Sequence, residues 1–246
     1  MEALLVRVGA DQTEAGGYWN APIDSKTGEF VYVPIKEYWP GKDQVRPFRE
    51  LEDALSKFGV SLPPTVRGAS MHLDPDFEYL TYGDQGGNGK RGKQIMEKIR
   101  ENDLLAFYAA LKDVQPSPRL VYALIGLYVV ESTCLAVDVP ECDRHKNAHT
   151  RRDLLSNAMD ILIRAKPRVS GRLERCIPIG SFRCAAVGRR VRPCYRVESG
   201  LLKEWGGLDV NDGYLQRSAR LPQFLDAVAF YKWFLANRIV LKQTNN

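Results

Sequence analysis

The sequence predicts an α+β fold: a mixed central sheet with flanking helices and a C-terminal docking helix. Three observations predict it. Residues 104–111 and 120–130 are near-continuous apolar runs, the pattern of strands covered on both faces. Residues 48–58 and 93–101 instead space their apolar side chains at the helical period. The chain ends in a further apolar-periodic stretch, 221–241. At 246 residues, 44% apolar and 26% charged, the length suits one large domain or two small ones, and either buries a real core.

In chain order, residues 3–8 form an apolar run ending at Gly9 and predict a first strand. A loop over 11–24 carries Trp19 and Asn20. Residues 29–34 alternate and are rich in β-branched and aromatic side chains, which predicts a second strand. The helix over 48–58 aligns Leu51, Ala54, Leu55 and Phe58, and Leu62-Pro63-Pro64 breaks the chain after it. A short helix over 93–101 is amphipathic through Ile95, Met96 and Ile99. The two apolar runs pair as a hairpin across 112–119, and residues 158–163 and 176–182 add strands. The docking helix over 221–241 places Phe224, Val228, Tyr231 and Leu235 on its buried face.

The net charge of +5 is unevenly spread. Residues 143–220 hold 17 lysines and arginines against 8 acids, an excess of nine positive charges, so the remainder carries −4. Arginine dominates the basic part, and its planar fork matches phosphate, which points to a polyanion such as nucleic acid. A solvated charged face is the competing account. Five cysteines (Cys134, Cys142, Cys176, Cys184, Cys194) without a Cys-x-x-Cys pair fit reduced thiols better than a disulfide framework. The N-terminus lacks the basic-then-apolar pattern of a leader, and no run nears the roughly 18 apolar residues of a membrane span. A cytoplasmic protein with no membrane partner is expected.

Residues 72–84 gather one of three histidines with four acids. His72, Asp74, Asp76 and Asp84 are the candidate catalytic groups, since imidazole beside carboxylate moves protons or holds a divalent metal. A divalent metal is therefore a possible cofactor, although the spacing defines no ligand set. Asp74-Pro75-Asp76 is equally a helix start, with Asp74 as N-cap and Pro75 at the first helical position. The glycine-rich tract that follows, ending in Arg91-Gly92-Lys93, matches the first part of a phosphate loop, but Gln94 stands where a hydroxyl is needed for Mg²⁺. Arg91 and Lys93 remain candidates to hold a phosphate. Cys134, Cys142, His145 and His149 have loose zinc-like spacing in a polar segment, too weak to assign a metal. His149 with Arg151 and Arg152, and Ser170 with Arg172, read as phosphate clamps. Trp19, Asn20 and Trp205, flanked by glycines, read as a base-stacking platform, with buried tryptophan packing as the alternative.

Several of these segments together resemble one family, the nucleotide modification associated domain, type 3. The resemblance is carried by Val8-Gly-Ala-Asp11, Gly17-Tyr-Trp-Asn20-Ala-Pro-Ile-Asp24, Phe30-Val-Tyr-Val-Pro34, residues 72–84 and Trp205-Gly-Gly-Leu208, with Ala148-His-Thr-Arg-Arg152, Ser170-Gly-Arg-Leu173 and Leu215-Gln-Arg217-Ser218 also fitting. It covers nearly the whole chain and implies a single domain over 1–246. That family occurs in bacteria and phages and is tied by genomic association to DNA base hypermodification. The resemblance implies a role in nucleic-acid modification, with DNA or a nucleotide as partner and other modification-pathway proteins nearby, and adds Arg217 to the phosphate contacts. It implies no particular reaction.

Two readings follow. In the first, the protein is an enzyme of DNA base modification, joining His/Asp chemistry to arginine phosphate contacts. In the second it is a non-catalytic reader of modified bases, for which residues 102–108 and 124–129 are loosely similar to PUA and EVE barrels. Convergence of His72 and the carboxylates in an open cleft with the arginines favours the first.

Overall fold

The computed structural model describes all residues except 12–18, 39–45, 87–88, 117–118, 153–157, 188–189 and 216–219, and describes no side chains at 181 and 183–193. It is the α+β fold that the sequence predicts. The two apolar runs become the long antiparallel strands β6 (Leu104–Asp113) and β7 (Leu120–Leu135). Around them a nine-stranded mixed sheet assembles. On one side of β6 lie β1 (Ala3–Arg7) and β2 (Pro22–Ile23), both parallel to it. On its other edge β7 carries two neighbours in succession: β9 (Gly171–Val187) along its first half, then β8 (Ile161–Ala165) from Val130 onward, with a register shift at Val130/Ser132. Strand β8 pairs onward with β5 (Thr81–Asp84), and β9 with β10 (Arg190–Val197) and β11 (Leu241–Lys242).

Both faces of the sheet are buried, which is why its central strands lack polar alternation. Leu4, Val6, Leu105, Phe107, Ala109 and Leu111 enter one core. Their chain neighbours Ala3, Leu5, Leu104, Ala106, Tyr108 and Ala110 enter another. The first core receives the helical turn at Phe48–Leu51, α1 (Glu52–Ser56) and α2 (Pro64–Arg67), together with α3 (Lys90–Lys98). It also anchors residues 72–84. Phe77 packs edge-on against Phe107 and Tyr128, over a strand that stays bare at Gly126, where a Cβ would sit 2.4 Å from the Phe77 ring. A small antiparallel pair, β3 (Ile35–Lys36) with β4 (Met71–His72), completes that side. Two short elements, α4 (Ala148–Arg151) and α5 (Ser199–Glu204), precede the last helix, α6 (Ala227–Ala236).

Five expectations change. Residues 30–34 are buried and Glu29 is exposed, but only Phe30 makes a ladder bridge, to Ile23. The strand placed at 158–163 runs Ile161–Ala165, and the helix placed at 93–101 starts three residues earlier. No helix begins at Asp74; the chain instead closes a turn in which Asp76 and Thr81 exchange both backbone hydrogen bonds. The docking helix spans only Ala227–Ala236, because Asp226 caps it by accepting from the Ala229 N–H. Its buried face is Ala227, Phe230 and Phe234, while Val228 and Leu235 are exposed. The ring of Phe230 fixes that rotation by stacking 4.0 Å from Phe224 and meeting Trp205 edge-on.

Candidate functional site

Two sheet pairings and one helical turn build the site. Pairing of β3 with β4 sets Ile35 opposite His72, so Glu37, just past β3, falls beside the imidazole. Glu37 Oε2 lies 2.7 Å from His72 Nδ1, and Arg152 grips the same carboxylate with Nη2 2.9 Å from Oε1 and Nε 3.2 Å from it. Pairing of β5 with β8 sets Asp84 opposite Ile161, which leaves Asp160 at the strand entrance. There Asp160 Oδ2 lies 2.6 Å from His149 Nδ1. Helix α4 delivers His149: Asn147 caps it through the His149 N–H and ties it to β5 through Thr81 Oγ1.

Asp74 joins the halves. Its Oδ1 accepts from the Gly83 N–H at 2.6 Å. Its Oδ2 faces His149 Nε2 at 3.3 Å and His72 Nε2 at 3.9 Å. The two imidazoles meet edge to face, 5.1 Å between centroids. This contact depends on Gly83, where a Cβ would lie 2.5 Å from His149 Cδ2. Burial pushes both histidines down. For His72 it prevails over the Glu37 contact and holds the group below the ordinary imidazole value. For His149 the bonds to Asp160 and Asp74 outweigh burial and lift it to about 9. Two neighbouring imidazoles thus favour opposite protonation states, an arrangement able to accept and deliver a proton.

His72, Asp74 and His149 open onto a cleft of about 250 Å³. Arg7, Lys36, Arg91 and Arg152 line it, together with the exposed ring of Tyr38. Arg91 donates to Tyr82 Oη at 2.8 Å and lies 3.1 Å from Asp84 Oδ2. Tyr82 in turn donates to Asp84 Oδ2 at 2.7 Å, and burial raises its phenol well above the usual value. Arg7 is ion-paired to Asp11 and lies over the Tyr122 ring.

The structure brings together His72, Asp74, Asp84, Arg91, His149 and Arg152. His149, read from the sequence as a phosphate contact, sits instead at the carboxylate centre. Asp76 does not reach the cleft: it is fully buried, and its carboxylate accepts from the Glu78 and Tyr79 N–H groups, Asn245 and Arg151. Arg151 is that structural brace, donating also to the His145 carbonyl. Lys93 lies on the exposed side of α3, 3.9 Å from Glu97. Ser170 is buried, its hydroxyl accepting from the Val129 N–H. Arg172 lies over the Phe30 ring in a separate depression. The stacking platform also dissolves. Trp205 is fully buried among Phe224, Phe230 and Trp233. Asn20 is buried and donates to the Ala110 carbonyl, and Trp19 packs against the first core. Arg217 lies outside the described residues. Among those described, Cys134 and Cys142 join no metal-capable cluster. Nothing in the local sequence pattern singles out Glu37 or Asp160; the Tyr38 ring, near Lys36, offers only the signal of an aromatic close to a cation.

A mixed sheet bearing a cationic cleft around a histidine–carboxylate centre defines a protein suited to an anionic partner. The nucleotide modification associated domain 3 family matches residues 2–227, and the chain belongs to it. Membership connects the protein with nucleotide modification. Neither a curated protein nor a solved structure matches the chain. Among the described residues no helix is long and apolar enough to cross a membrane.

Proposed function

We propose that the protein is an enzyme that modifies a base of DNA or of a nucleotide held in this cleft. The carrying observation is that His72 Nε2, His149 Nε2 and Asp74 Oδ2 meet at the cleft wall, each held from behind by its own partner. All three residues line the cleft, although their side chains are largely buried. His72, Asp74 and His149 form the reacting centre. Lys36 and Arg91 contact phosphate, and Tyr38 offers a face for the base. All three arginines pair with a carboxylate, but Arg91 is 32% exposed, whereas Arg152 and Arg7, at 8% and 9%, shape the cleft.

Mass spectrometry of nucleosides from DNA of cells carrying the wild-type or the His149→Gln protein with its native modification pathway tests this. A nucleoside present with wild type and missing with the variant is expected. An unchanged profile, with modified DNA still bound by the purified protein, overturns the enzyme in favour of the reader. The phosphate role has its own test. Arg91→Ala is expected to weaken DNA binding and to reduce the slope of log affinity against log salt by about 1, read by fluorescence anisotropy. An unchanged slope removes Arg91 from the interface.

A further inference from the structure

We propose that the protein binds one divalent transition-metal ion through His72 Nε2, Asp74 Oδ2 and His149 Nε2. The inference deepens the reading above by naming the cofactor of the same cleft, and rests on it only for the cleft being where substrate enters.

Distance is the first argument. His72, Asp74 and His149 each offer a ligand atom within 4.8 Å of those of the other two. A metal about 2.0–2.2 Å from nitrogen and oxygen ligands holds neighbouring donors roughly 3 Å apart. The 3.3 Å between His149 Nε2 and Asp74 Oδ2 is already close to that, and the 3.9 Å at His72 closes with a small swing of the ring.

Orientation is the second. Each imidazole turns Nδ1 toward a carboxylate, Glu37 for His72 and Asp160 for His149, and Arg152 Nη2 also lies 3.0 Å from His72 Nδ1. That leaves Nε2 as the nitrogen able to ligate, His149 giving up the proton it shares with Asp74, and is the outer-shell arrangement that aims a metal-binding histidine. Asp74 is fixed in the same way, its second oxygen held by the Gly83 N–H.

Charge is the third. Glu37, Asp74 and Asp160 crowd the two rings, with side chains each 7% exposed. Arg152 offsets one carboxylate. A divalent cation, displacing the proton that His149 shares with Asp74, offsets the other two.

Two imidazoles and one carboxylate suit manganese, iron, cobalt or zinc, whereas calcium and magnesium favour all-oxygen cages and thiolates draw softer ions. Three protein ligands leave positions open on the cleft side. Catalytic metal centres have such open positions, and structural ones do not.

The test uses the intact protein, stripped with chelator and titrated with Co²⁺ while visible absorption is followed. Zn²⁺ and Mn²⁺ stoichiometry comes from elemental analysis after dialysis. One equivalent per chain is expected. Asp74→Asn and Glu37→Gln, each checked for native circular dichroism, are expected to weaken Co²⁺ by about 10- to 100-fold, and Cys142→Ser to change nothing. Should these variants fail to fold, wild type decides: its Co²⁺ form must show two paramagnetically shifted, exchangeable imidazole N–H resonances. Substoichiometric binding by folded wild type, absence of those resonances, or binding insensitive to Asp74→Asn overturns the site. The metal assay contains no substrate and the nucleoside assay counts no metal. A loaded protein that modifies nothing therefore sinks the enzyme and spares the centre, and a metal-free protein that modifies bases does the reverse.

Discussion

Asp76→Ala is expected to destabilise the protein by about 3–5 kcal/mol, the loss found when one partner of a buried ion pair is removed. Asp76 has no exposed surface. Its Oδ2 pairs with Arg151 at 3.1 Å, and Oδ1 accepts from the Asn245 side chain and two backbone N–H groups. Alanine leaves a guanidinium that is only 10% exposed without its carboxylate, together with three unanswered donors. The consequence spreads, because Asn245 also accepts from the Phe77 N–H, and Phe77 carries residues 72–84 on the sheet. At roughly 2–4 °C per kcal/mol for a chain of this size, the thermal midpoint should fall by on the order of 10 °C, measured by circular dichroism. Asp76→Asn, which keeps the neutral acceptor, should lose less than half as much. A midpoint within about 2 °C of wild type for Asp76→Ala would return Asp76 to the list of residues without a structural duty.

That reassignment shows which parts of the site a sequence discloses. The acids of 72–84 advertise chemistry, yet nothing in their spacing separates Asp74, which faces the cleft, from Asp76, which faces the core. Turn geometry makes that separation, through the double backbone bond between Asp76 and Thr81. The strands at 104–111 and 120–130 were legible because burial on both faces writes itself as an unbroken apolar run. The C-terminal helix was legible as a helix but not in its rotation, which follows from where Phe224 and Trp205 leave room for Phe230. Glu37 and Asp160 were invisible for a plainer reason. Each meets a histidine 35 or 11 residues away, and such a pairing has no local period. The resemblance to the nucleotide modification family could be read from the chain, whereas the exchange of His149 from the phosphate set to the carboxylate centre could not.

Gly83→Ala is expected to abolish the site while leaving the fold standing. The added Cβ would lie 2.5 Å from His149 Cδ2 and 2.9 Å from Cγ, with Asn147 Oδ1 at 3.0 Å. The backbone cannot yield easily, since Gly83 is paired to Leu162 inside the sheet and its N–H is held by Asp74. The imidazole must therefore move by about 1 Å, enough to break the 2.6 Å bond to Asp160 or the 3.3 Å approach to Asp74. Overpacking of this kind costs about 1–3 kcal/mol, which a fold with two cores absorbs. Misplacement of a reacting group by that distance costs about 100-fold in rate, and Co²⁺ affinity should drop in parallel. Gly200→Ala, on α5 where a Cβ meets nothing, is the matched control and should alter neither quantity. A folded Gly83→Ala protein that binds Co²⁺ within about twofold of wild type would mean that His149 is not held where the geometry puts it. The centre would then be more plastic than its two carboxylate braces imply. If affinity collapses while the thermal midpoint moves little, the glycine between Tyr82 and Asp84 is kept for the histidine it lets in, and not for the strand in which it lies.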